Sequence, residues 1–130
     1  MCLDRLRAYQ DWGLMALRIA VGAVFIFHGT EKLAMWSSPP DGMSAALFKT
    51  LAIAESLGGF AIFVGLLTRW AALGLTIIMI GALYSVLSWG IPFEGVKGAG
   101  WEFNLVLLGS TLFLLTSGGG GLSVDGVMRR

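Results

Sequence analysis

The sequence predicts an all-α fold, an integral membrane bundle of four antiparallel helices, and three observations lead there. The 130-residue chain is 56% hydrophobic and only 13% charged, whereas a soluble domain is about a quarter charged. Its apolar residues gather into four runs, each near the roughly 20 helical residues that cross the hydrocarbon core. The five tryptophans, Trp12, Trp36, Trp70, Trp89 and Trp101, all fall at the ends of those runs, where a half-buried indole can reach a polar partner at the membrane interface.

The first span is expected over residues 14–36. The stretch before it, MCLDRLRAYQDW, is too long and too mixed in charge for the start of a signal peptide, and no A-x-A-like site follows the apolar core. The first helix is therefore expected to be retained. SSPPDG, Ser37 to Gly42, is a turn-rich loop. The second span covers residues 47–67, and the two-residue link Thr68–Arg69 requires it to pack against the third, residues 70–89, which carries no charge. IPFEGVKGAG is the longer third loop. The fourth span, residues 101–117, is shorter and runs into SGGGG and a glycine-rich tail, residues 118–130. With no internal repeat, residues 1–130 read as one domain.

Arg5, Arg7, Arg69, Arg129 and Arg130 fall on one side of the membrane, with Arg18 just inside. Lys32, Lys49 and Lys97 share the other side with Asp41, Glu94 and Glu102. The positive-inside rule then puts both termini in the cytoplasm.

Helical rise converts position into depth. His28 lies roughly 12 Å below the outer interface, and Glu55 on the returning helix lies at about the same depth. The two are expected to meet. Glu31 and Tyr84 are about 7 Å down and Asn104 about 5 Å. Arg18, Val21, Phe25, His28 and Lys32, spaced 3, 4, 3 and 4, trace one stripe of the first helix. Ala52 and Gly59 flank Glu55 on its face, so another helix can approach closely there. Ionisable groups this deep are candidates for function, which makes His28, Glu31, Glu55, Tyr84 and Asn104 the candidate pocket residues. Lys32, Lys49 and Glu102 are expected instead to extend their charges to the interface. The glycines after residue 117 let the tail turn back sharply, so Asp125 is expected to pair with Arg18 as a structural latch.

Several chemistries are excluded. One histidine cannot supply both axial ligands of a membrane haem, and one cysteine, Cys2, supports neither an intrachain disulfide nor an iron–sulfur cluster. A histidine and a glutamate without a third strong ligand do not define a metal site. A net charge of +1 offers no basic surface for nucleic acid. Redox chemistry would need a bound organic carrier or partner subunits, and a lipid-soluble quinone suits apolar walls with a protonatable His or Glu.

Three stretches carry a resemblance: RIAVGAVFIFHGTEKL, ESLGGFAIFVGLLTRWAAL and NLVLLGSTLFLLTSGGGGLSVD. In this order they cover nearly the whole chain, which resembles the DoxX family of small four-helix bacterial membrane proteins. One departure is GGGG at Gly118 to Gly121, where many relatives carry a Gly-Pro-Gly-like turn. The family was named for its similarity to the small membrane subunit of a thiosulfate:quinone oxidoreductase. The resemblance implies a protein of the bacterial inner membrane associated with quinone-linked or thiol and sulfur redox partners. Two readings follow: a subunit with a quinone-facing pocket, or a non-catalytic anchor or assembly factor that recruits redox or stress-response enzymes. Transport of a small molecule is weaker, since no inverted repeat is present and a homo-oligomer would be needed to enlarge the cavity.

Overall fold

The computed structural model describes residues 2–98 and 100–130. The side chains of Cys2 and Asp4 lie outside the described ones, and with them the expectation of a free, inert Cys2 thiol. A 3₁₀ segment, Cys2–Tyr9, leads into helix α1, Gln10–Ala34, followed by α2, Ala45–Val64, α3, Thr68–Ser88, α4, Trp101–Ser117, and a short α5, Val124–Met128. Among the described residues there is no strand. Helices α1, α2 and α3 are long and apolar enough to cross a membrane, and α4 is a shorter apolar helix. At 1.5 Å per residue its 17 residues span roughly 26 Å, slightly under the thickness of a hydrocarbon core.

The helix ends follow local chemistry. Ser44 caps α2 by accepting the Leu47 N–H at 3.2 Å. Gly65, at φ 75°, turns the chain out of α2, and the N–H groups of Gly65 and Leu66 both close onto the Ala61 carbonyl at 2.8 Å. Leu67 then takes φ 48°, a left-handed conformation that costs a branched residue about 1–2 kcal/mol. Gly118, at φ 76°, ends α4.

α1 and α2 pack along each other at unusually close range. A Cβ on Gly22 would lie 2.8 Å from the Gly59 carbonyl oxygen, and one on Gly29 would lie 2.6 Å from the Ser56 nitrogen. Residue numbers rise along α1 as they fall along α2, so the two run antiparallel. α3 packs along α4, α2 against α3, and α1 meets α4 only narrowly. Val21 and Phe25 of α1, Ile62 of α2, Ala72, Leu75 and Met79 of α3, and Leu107 and Leu114 of α4 form one buried core. Large apolar side chains also cover the outside, among them Phe27, Leu57, Phe60, Ile77 and Val106. A surface this apolar needs lipid or protein against it.

Candidate functional site

The stripe on α1 faces inward: Arg18, Val21 and Phe25 are buried, and His28 and Lys32 are half-buried. On α2 the facing residues Ala52, Glu55, Gly59 and Ile62 are buried. The small residues on both helices bring the backbones close enough for polar side chains to meet. Lys32 Nζ donates to Glu55 Oε2 at 2.7 Å, and Glu55 is only 7% exposed. Lys32 therefore does not extend to the interface, as expected from sequence, but turns inward, and it takes the place foreseen for His28.

The cause is the direction in which helical side chains lean. Each Cα–Cβ bond tilts toward the N-terminus of its own helix. On antiparallel neighbours His28 leans toward the end that carries the chain termini, while Glu55 leans toward the α1–α2 loop. Two Cα atoms at one depth thus send their side chains apart. Lys32, a turn nearer the loop, leans back onto Glu55.

His28 instead has its Nδ1 3.6 Å from Glu31 Oε2 on its own helix, and its ring stands edge-on to Phe27 and Phe103 at centroid distances of 5.8 and 5.6 Å. Lys32, Glu55, His28 and Asn104 line a cavity of about 130 Å³, walled by Phe25, Met79, Ala82, Phe103 and Leu107. All four long helices contribute. Of the residues expected in the pocket, the fold gathers His28, Glu55 and Asn104. Glu31 is exposed beside His28, outside the lining. Tyr84 is 75% exposed and points away from the core. Lys32 and Phe103 were not foreseen there. The one available signal was that Lys32 follows His28 by four on the polar stripe. Lys49 lies with its ammonium 4.9 Å from the Trp36 ring centroid, a cation–π contact.

Larger hollows of about 470 and 460 Å³ lie at the opposite end, beside the tail, and one of about 230 Å³ lies within the third loop. None of these gathers ionisable groups from several helices, so the smaller cavity is the candidate site.

The tail end forms a second polar cluster. Arg18, 1% exposed, donates to the carbonyls of Ile62 and Phe63 at 3.4 and 3.3 Å and also to that of Leu122. Asp125 accepts the N–H groups of Leu67 and Thr68, both at 2.8 Å, and its own N–H donates to the Gly65 carbonyl at 2.9 Å. The expected Arg18–Asp125 ion pair is thus replaced by two backbone clasps. The carbonyls ending α2 suit a cation, and the free N–H groups starting α3 suit a carboxylate. Burial pushes the Asp125 carboxyl up, but the Thr68 and Leu67 N–H groups and the Arg129 charge outweigh it and hold it below its ordinary range. Asp11 adds a further tie, accepting the Gly121 N–H at 3.1 Å.

The DoxX family model matches residues 13–88. An "Uncharacterized protein" of Haemophilus influenzae is 31% identical across 95% of this chain and 96% of its own length. "Putative oxidoreductase CatD" of Bacillus subtilis is 28% identical across 87% of this chain and 84% of its own. "Inner membrane protein YqjF" of Escherichia coli is 27% identical across 96% and 98%. No solved structure matches significantly.

Proposed function

Because the chain belongs to the DoxX family of membrane proteins, we propose that it serves a membrane redox system as a subunit or accessory. In this reading α1 to α4 form an antiparallel four-helix bundle in the bacterial inner membrane, with both termini cytoplasmic. The cavity at the other end then opens in the outer half of the bilayer and receives the headgroup of a lipid-soluble quinone. The names of the Bacillus subtilis and Escherichia coli relatives support the redox association and the location.

The observation that carries the reading is the Lys32–Glu55 pair, 2.7 Å long and set in the wall of a cavity shared with His28 and Asn104. Such a pair is costly in a membrane and marks a functional site by default. At about 130 Å³ the cavity is far below the roughly 300–1,000 Å³ of a pocket that encloses a drug-sized ligand. It suits a single ring whose tail leaves between helices.

A bound quinone supplies two carbonyl oxygens, which take up protons when the ring is reduced. The Lys32 ammonium and the Asn104 amide are the donors available to such an oxygen. His28 and Glu55 are the groups able to hold a proton beside it. Phe25, Phe103 and Leu107 pack the ring and keep water out. Electrons come from an oxidoreductase partner. The competing reading, an anchor recruiting partners through its tail, is disfavoured because Arg18, Asp11 and the start of α3 already engage that tail.

The test is to purify wild type, Glu55→Gln and His28→Ala from membranes and assay co-purifying quinone. Wild type is expected to carry quinone and each folded variant at least fivefold less. A quinone-free wild type with no quinone-dependent turnover in its native complex overturns the proposal.

A further inference from the structure

The cleft of about 470 Å³ at the tail end lies between α1, α4 and the returning chain, outside the cavity described above. Its floor is apolar, made by Leu14, Leu17 and Phe113, and its mouth is polar, with Gln10, Asp11 and Ser117. Gly13 lines it as well, and a Cβ there would meet nothing within 4 Å. It exists because α1 meets α4 only narrowly.

Arginines outnumber carboxylates around this mouth. Asp11, which is exposed, and Asp125 each accept backbone N–H groups, and Arg5, Arg7, Arg69, Arg129 and Arg130 are all exposed. Arg7 sits one turn before Gln10. Arg130 Nη2 reaches within 3.5 Å of where a Gly121 Cβ would stand, next to Asp11. Exposed apolar residues sit among these cations. Leu3, Leu6 and Tyr9 recur every third residue of the 3₁₀ segment, where such positions eclipse on one face, and Val127 and Met128 precede Arg129. Apolar side chains interleaved with arginine suit a segment lying among anionic headgroups.

We infer that this end binds an anionic phospholipid, one acyl chain in the α1–α4 cleft and its phosphate facing Arg7 and Arg130. An anionic amphiphile fits an apolar floor whose polar mouth is flanked by exposed arginines. A second copy docked through a two-fold axis would set this arginine-rich patch against itself.

The full chain is reconstituted in nanodiscs of equimolar phosphatidylglycerol and phosphatidylcholine, released in mild detergent, and examined for retained lipid by native mass spectrometry. Wild type is expected to retain one phosphatidylglycerol at least fivefold over phosphatidylcholine. Arg7→Gln and Arg130→Gln should each lower that retention roughly fivefold. Gly13→Phe, placed where there is open space, should abolish retention of both lipids. Equal retention of the two lipids by wild type, unchanged retention in Gly13→Phe, or a protein dimer occupying the face in place of lipid overturns the inference.

Discussion

Removing Lys32 is expected to destabilise the protein far more than removing the carboxylate it pairs with. In Lys32→Met, Glu55 keeps its place at 7% exposure, with no other cation lining its cavity. Stranding one member of a buried pair costs roughly 3–5 kcal/mol. Glu55→Gln is different. The Lys32 side chain is 24% exposed and sits in the last turn of α1, so its freed ammonium can swing to the interface. That variant should lose about 1 kcal/mol, the net value of a typical intramolecular hydrogen bond. The double variant should resemble Glu55→Gln, so the coupling equals the Lys32→Met loss, roughly 3–5 kcal/mol. Equilibrium unfolding in lipid bicelles by a denaturing detergent, followed by tryptophan near-UV dichroism, measures all four corners. Single variants that agree within 0.5 kcal/mol would refute the reasoning.

Two further expectations follow from the same geometry. Gly29→Val, whose Cβ would press on the Ser56 backbone at 2.6 Å, should cost at least the 1–3 kcal/mol typical of overpacking. Gly74→Ala, where a Cβ meets nothing within 4 Å, should be neutral or gain up to about 1 kcal/mol; the same unfolding assay separates them. Asp125, held below its ordinary range, stabilises the tail clasp above the unfolded carboxyl value near pH 4, and that contribution is lost as pH falls through its lower folded value. Proteolysis of the tail should therefore be flat from pH 8 to 5 and quicken only below about pH 4. Asp125→Asn, losing two hydrogen bonds to a charged acceptor, should quicken it at every pH in that range.

The parts of this molecule that depend on composition and period are legible in its sequence. Apolar length and flanking tryptophans mark where helices run, and the 3-4-3-4 spacing from Arg18 to Lys32 marks the face of α1 that turns inward. Composition sees the membrane better than the helix, however. α1 begins at Gln10, before its apolar run, because a helix continues into the headgroup layer without any change in its hydrogen bonding. Tyr84 shows a second boundary: depth follows from counting residues, but facing does not. The side of α3 that turns inward is the one where Ala72, Leu75 and Met79 fit their neighbours, and a helix with apolar residues all round carries no period to announce it.

The sequence by itself thus determined the class of protein, the number of its long apolar helices, and the polar groups that need partners. Only the tertiary structure decided which partners they take. Glu55 took Lys32 rather than His28 because side chains on antiparallel helices lean in opposite directions. Arg18 and Asp125 took helix-end carbonyls and N–H groups rather than each other, because the α2–α3 turn presents both kinds within reach. Such choices depend on the rotation and approach of neighbouring helices, which small residues at Gly22, Gly29 and Gly59 set to within an ångström and no residue count contains.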